Sequence, residues 1–205
     1  MQEKLKTLIN EARIEATDSQ INLWIEYVQL LDKWNKAYNL TSVRNPLDML
    51  NKHILDSLLV TPFLKGNKII DVGTGPGLPG IVLAIFFPEK NFVLLDSLGK
   101  RIRFLKEVIL KLELNNVEIV QSRVEEFRPN ELFDSVISRA FASLKDMITL
   151  CSHLLDENGT YYAMKGLYPE DEIEAIFALG FHDLITKDLT FSASDVKRHL
   201  VMIKK

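Results

Sequence analysis

Residues 68–80 read KIIDVGTGPGLPG. A short apolar run, 68–73, has the length and composition of a buried strand, and four glycines (Gly73, Gly75, Gly77, Gly80) follow within eight residues. The stretch PGIVLAIFF (79–87) is apolar on nearly every side and reads as the start of a buried helix. Glycines between a strand and a helix let the backbone turn tightly and let a ligand approach without a Cβ in the way. A plain glycine-rich turn is the simpler alternative, and four glycines in this context argue against it.

Working outward, strands are expected at 92–96, 117–122, 134–138 and 160–165, and helices at 100–112, 144–155 and 169–178. HDLITKDLTF (182–191) and RHLVMIKK (198–205) read as a closing strand pair with its turn at 192–195. Strand–helix alternation of this kind implies a mostly parallel sheet with helices on both faces, and ligands at the carboxyl ends of the strands. Residues 1–66 read differently, as a helical extension preceding a Rossmann-like domain at 67–205. Ile21, Trp24, Ile25, Val28, Leu30 and Leu31 recur at helical spacing behind an expected cap at Asp18 or Ser19. Asn45-Pro46 predicts another helix start, and that helix carries Met49, Leu50, His53, Ile54, Leu58 and Leu59 and ends near Pro62.

The chain of 205 residues is 47% hydrophobic and 26% charged, which suits one globular unit and excludes a disordered or fibrous protein. Its first residues are too charged for a signal peptide, and its longest apolar run, 81–87, is far short of the roughly 20 residues that span a bilayer. A soluble, cytoplasmic protein without a membrane partner is expected. Cys151 stands alone, and His53, His153, His182 and His199 show no metal-ligand spacing, so no disulfide and no metal are expected. The net charge of −3 argues weakly against nucleic acid. Local patches point the other way: Lys100, Arg101, Arg103 and Lys106 share one acid-free stretch, and Lys197, Arg198, Lys204 and Lys205 lie near the end.

Which ligand the glycine loop takes is a separate matter. Gly75-x-Gly77-x-x-Gly80 matches the dinucleotide pattern, and Asp96 ends the next strand where a ribose-binding acid belongs, so a nicotinamide enzyme is one reading. S-adenosylmethionine is favoured on three grounds. Gly73-x-Gly75-x-Gly77 behind Asp71 resembles the first motif of class I methyltransferases. Glu125, after the third strand, is placed to accept from an adenine amino group. Little chain remains for the substrate domain of a dehydrogenase. At the end of the fourth strand, SRAFAS (138–143) lacks the Asn/Asp-Pro-Pro-aromatic motif of enzymes that methylate exocyclic amines, and Cys151 reads as core rather than as a nucleophile.

NLTSVRNP (39–46), HILDSLL (53–59), DVGTGPGLPG (71–80), LLDSLGKRIRFL (94–105), VQSRVEEF (120–127), SRAFASL (138–144) and MKG (164–166) closely resemble the bacterial 16S rRNA guanine-N7 methyltransferases of the RsmG family, also called GidB. The resemblance runs in order from about residue 20 to 166 and is looser beyond. It implies a Rossmann-like class I methyltransferase fold with an N-terminal helical extension. It implies methyl transfer from S-adenosyl-L-methionine to N7 of a guanine, guanine 527, in the 16S rRNA of the small ribosomal subunit, by a monomer. By the same resemblance Gly73 and Leu78 touch the cofactor, Asp96 its ribose, and Val124 and Glu125 its adenine. The cofactor set is completed by Asp71, Gly75, Gly77 and Arg139. Arg139 sits between cofactor and base, and Arg123 and Lys165 join it as catalytic candidates through contacts to RNA phosphate or the target base. Asn39 and His53 line the same cleft.

Blander roles stand beside these. Arg139 could be a surface arginine, the 100–106 cations a solvated helix face, His53 a core histidine, Trp24 and Trp34 core, and Phe141 packing rather than stacking. Guanine N7 carries a lone pair and no proton, so no general base is needed, in keeping with the lack of an evident His or paired-carboxylate constellation. A methyltransferase for a small molecule or a protein, or an NAD(P)-binding Rossmann protein, are the alternatives.

Overall fold

The computed structural model describes residues 1–139, 141–190 and 197–205. Helix α1 spans Gln2–Glu11 and α2 Asp18–Tyr38. The start of α2 is set one residue ahead of the expected cap. Thr17 accepts from the Gln20 amide at 3.2 Å while the Gln20 side chain accepts from the Thr17 amide at 2.9 Å, a reciprocal capping box. The helix ends where Asn39 turns left-handed at φ 49°. Asn45 caps α3 (Pro46–Met49) through Leu47 N–H, at 2.9 Å, with proline in the first turn as expected. The helix then widens into a π-helical stretch, Leu50–Leu55, and closes as α4, Asp56–Leu58.

The remaining elements are β1 Lys68–Val72, α5 Gly80–Phe86, β2 Asn91–Asp96, α6 Gly99–Leu112, β3 Val117–Gln121, β4 Phe133–Ser138, α7 Leu144–Cys151, β5 Leu155–Lys165, α8 Glu170–Phe177, β6 Leu184–Asp188 and β7 His199–Lys204. One seven-stranded sheet runs β3-β2-β1-β4-β5-β7-β6, giving the expected Rossmann-like α/β architecture. Its first five strands are parallel, and β7 pairs antiparallel with both β5 and β6. The strand order reverses between β1 and β4, which places the ligand-binding crevice at their carboxyl ends. The expected turn at 192–195 lies outside the described residues. Helix α7 is shorter than the 144–155 reading: the Leu154 amide folds back onto the Cys151 carbonyl at 2.9 Å, and Leu155 already pairs with Phe133.

Alternate strand residues divide between the two faces. Ile69, Phe92, Leu94 and Ile137 pack toward α5, while Ile70, Val72, Leu95 and Val136 pack toward α7 and α8. The N-terminal helices continue the first of these cores, with Trp24, Tyr27, Val28, Leu31 and Leu50 packing together with Ile81, Val82 and Phe104. Polar side chains of α2 also satisfy backbone that α5 and the glycine loop leave open. Gln20 donates to the Ile85 and Phe86 carbonyls, Trp24 Nε1 to Val82 O at 3.2 Å, and the Tyr27 hydroxyl to Pro76 O at 2.9 Å. The extension thereby braces the loop that carries the glycines. Among the described residues no helix is long and apolar enough to cross a membrane.

Candidate active site

The loop after β1 is held by two carboxylates. Asp71 Oδ2 accepts from Thr74 Oγ1 at 2.7 Å and from the Gly80 amide at 2.8 Å, which ties the start of the loop to the start of α5. Burial pushes the Asp71 carboxyl up to about 6, against the pull of those two bonds and of the Arg139 charge. Asp96, at the end of β2, accepts the Gly75 amide at 3.0 Å and Arg101 Nη1 at 2.9 Å on Oδ2, and the Leu98 amide at 2.9 Å on Oδ1. The glycines have different jobs. A Cβ on Gly77 would collide with Ile81 and Leu105, and one on Gly80 with Leu94 and Asp71. At Gly75, with φ +61°, a Cβ would meet nothing closer than Gly73 O at 4.0 Å. Gly75 is therefore required by its left-handed backbone, while Gly77 and Gly80 are bare because the protein packs against them.

The crevice beside Gly75 is a cleft of about 290 Å³, near the lower end of the size range of small-molecule sites. It brings together Gly73, Asp96, Arg101, Arg123, Val124, Glu125 and Phe141 from the ends of β1, β2, β3 and β4. Arg123 and Glu125 are exposed and Val124 half-buried, in a turn where the Glu126 and Phe127 amides fold back on the Arg123 carbonyl. Arg101 lines this cleft through a side chain whose Nε is buried without a hydrogen-bond partner among the described residues. Asp71 and Leu78 stand behind this wall: Asp71 is fully buried under the loop and Leu78 packs in the core shared with the N-terminal helices.

A second cleft, of about 400 Å³, is lined by Arg139 together with Thr41, Lys52, His53, Lys165 and Arg198 among others. Arg139, just past β4, donates to Asp56 Oδ2 at 3.1 Å, and its charge acts on Asp71 and on His53. Asp56 takes Arg198 Nε on its other oxygen. Lys165 pairs with Glu172 of α8 at 2.8 Å, and Glu172 also accepts the Leu144 amide at 2.7 Å, so this ion pair fixes the chain that follows the fourth strand. His53 is buried, with Nε2 at 2.9 Å from Thr41 Oγ1. Burial first, and the Arg139 charge second, hold it down at about 4, so the ring is neutral at physiological pH. Asn39 stays outside this cleft and accepts from Arg44 at 2.8 Å.

Thus the structure gathers Gly73, Asp96, Arg123, Val124 and Glu125 in one cleft, and Arg139, Lys165 and His53 in a second. The sequence reading assigned no role to Asp56 or Glu172. An acid inside the apolar helix 53–59 was the available signal for Asp56. Three of the four cations in the basic stretch on α6 are engaged: Lys100 donates to the Tyr38 carbonyl at 2.9 Å, Arg101 pairs with Asp96, and Arg103 lies 5.8 Å from the Tyr38 ring. Cys151 is buried in the core, its thiol pushed up to about 12 by burial. Among the described residues no cluster of three or more His, Cys, Asp or Glu is placed to hold a metal ion.

A family model described as rRNA small subunit methyltransferase G (GidB) matches residues 20–201. Over 205 residues the chain is 55% identical to the ribosomal RNA small subunit methyltransferase G of Idiomarina loihiensis, covering 100% of this chain and 99% of that protein. It is 57% identical over 204 residues to the protein of the same name from Escherichia coli strain SMS-3-5, covering 100% and 98%. The solved structure of M. jannaschii TYW2 in complex with AdoMet superposes with a TM-score of 0.54 at 17% identity, over 69% of this chain and 70% of that one. At that identity the likeness speaks for the fold alone.

Proposed function

Because the chain belongs to the rRNA small subunit methyltransferase G family, we propose that it transfers the methyl group of S-adenosyl-L-methionine to N7 of a guanine in 16S rRNA. The observation that carries this reading is the cleft at the carboxyl ends of β1, β2 and β3. Gly73, Asp96, Val124 and Glu125 line it, and Asp96 ties it to the glycine loop through the Gly75 amide. These features fit a nucleoside with ribose hydroxyls and a polar base.

When bound, S-adenosyl-L-methionine supplies a methyl group already activated by its sulfonium. The chain's own part is to bind and to aim. Asp96 accepts from ribose hydroxyls, Val124 packs against adenine, and Glu125 accepts from its amino group. Gly73 and Gly75 let the backbone close on the ligand, with Asp71, Gly77 and Leu78 supporting the loop from behind. Arg139 lines the second cleft and orients the target base. Arg123 and Lys165 assist from either side through RNA contacts. Guanine N7 has no proton to lose, so a neutral His53 and a high-pKa Cys151 are no obstacle, and catalysis rests on alignment and on fixed charges.

N7 lies on the major-groove edge, which in A-form RNA is too deep and narrow for side chains. The target guanine is therefore unpaired or extruded when it enters. By family resemblance it is guanine 527. The enzyme works as a cytoplasmic monomer, with residues 1–66 as an extension that braces the Rossmann-like domain at 67–205. Calorimetry tests the cofactor half of this reading. S-adenosyl-L-methionine or its demethylated product should bind and NADH should not, and tight NADH binding with no response to the methyl donor would refute it.

A further inference from the structure

Asp56 sits at the junction of three separate parts of the chain. It opens α4 and is 5% exposed, and its two oxygens are divided between Arg139, which follows β4, and Arg198, which leads into β7. Both arginines line the cleft that also holds Lys52 and Lys165, and each keeps about a quarter of its side chain exposed, 27% and 26%. A cleft built only to attract phosphate would gain nothing from a buried carboxylate paired with two of its lining arginines, because that charge cancels one of them. What the carboxylate does provide is geometry. Two long, flexible arginine side chains are locked by one planar acceptor, so little further freedom is lost when they meet a substrate.

We propose that Asp56 is a positioning residue for methyl transfer: it clamps Arg139 and Arg198 as a fixed pair on the substrate side of the site. This rests on the rRNA methyltransferase reading above. The charge balance supports the same role. Methylation at N7 turns a neutral base into a cation, and with Asp56 in place the two guanidiniums meet that cation with a net charge of one rather than two.

Asp56→Asn, which keeps size and polarity, separates positioning from simple support. Under single-turnover conditions at saturating RNA and cofactor, the methylation rate should fall by about tenfold or more. RNA affinity, measured with the demethylated cofactor bound, should stay level or tighten, because the cleft has gained a positive charge. Cofactor affinity should not change. Arg198→Ala should slow the reaction as well, and the double variant should lose less than the product of the two single losses, since Asp56 acts partly through Arg198; losses that multiply in full would overturn the proposal. An unchanged rate in both single variants would overturn the proposal. So would a joint loss of rate, RNA affinity, cofactor affinity and thermal stability in Asp56→Asn, which is what a merely structural residue produces. Wild-type protein that fails to methylate the RNA at all would count against the underlying reading instead, and is measured first.

Discussion

The cleft beside Asp96 is made from short segments at neighbouring strand ends, whereas the cleft beside Arg139 is gathered from across the chain. In the first, the residues after β1, β2 and β3 come together with a carboxylate that holds the loop amide. In the second, Thr41, Arg139, Lys165 and Arg198 come from well-separated parts of the chain and are held by polar contacts, with Asp56 and Glu172 as the acids that pair the cations. Under the proposed function the first takes the cofactor and the second the target nucleotide. A small molecule is then met by local strand-end segments, and a base drawn from RNA by charged groups that are fixed in place.

The largest expected effect breaks the two clefts apart. Gly75→Val strains a left-handed residue whose amide is held by Asp96 in the wall of the first cleft, while its Cβ meets nothing closer than 4.0 Å. S-adenosyl-L-methionine affinity should drop by about a hundredfold, roughly 2.7 kcal/mol, while RNA affinity and the folded state persist. Loss of RNA binding in step with cofactor binding would mean the clefts are not separable.

The next effect tests how firmly the second cleft is closed to water. His53 is held at about 4, below its unfolded value near 6.5. Between those values the unfolded chain binds the extra proton, so the stability tied to the neutral ring is complete above 6.5 and is lost as pH falls toward 4. At pH 5 the loss is on the order of 2 kcal/mol. Asp71, raised to about 6, works in the opposite sense, because there the native chain holds the extra proton and stability grows as pH falls through 6. Comparison with His53→Asn isolates the histidine. Denaturant titrations at pH 7 and pH 5 should show the wild type losing more stability on acidification than the variant. Equal losses would place His53 in contact with solvent.

The smallest effect sharpens the contrast between the cations. Arg123 is exposed beside the first cleft, whereas Lys165 is already paired with Glu172. If both touch RNA phosphate, Arg123→Ala should lower the salt slope of RNA binding by about one, and Lys165→Ala should lower it by less. A larger change at Lys165 would mean that the Glu172 pair opens on binding.

The same contrast explains what could be read before the structure. The first cleft was legible because its parts are local: glycines at a fixed offset from a strand, then Asp96 at the end of the next strand. Which glycines are bare because the protein packs against them was not legible, because that depends on Ile81, Leu105 and Leu94 behind the loop. The second cleft was only partly legible. Arg139 and Lys165 follow strand ends, where function gathers, but the link from Asp56 to Arg139 and Arg198 exists only once the N-terminal helices lie against the sheet. The start of α2 was missed by one residue although its signal was present, since Gln20 three residues after Thr17 completes a capping box. The early end of α7 left no comparable mark, because it is set by pairing of Leu155 with the distant Phe133.

The central claim is that this chain methylates guanine N7 in small-subunit RNA, and the position of the methyl group tests it most directly. N7-methylguanosine carries a charged ring that is opened by borohydride reduction and cleaved by aniline, whereas methyl groups on exocyclic amines or ribose leave the chain intact. Small-subunit RNA from cells lacking the enzyme, treated with the protein and S-adenosyl-L-methionine, should gain one cleavage site, at a guanine in a loop or irregular region. Methyl transfer to that RNA with no new cleavage, and with the added mass on an exocyclic amine or a ribose hydroxyl, would contradict the account.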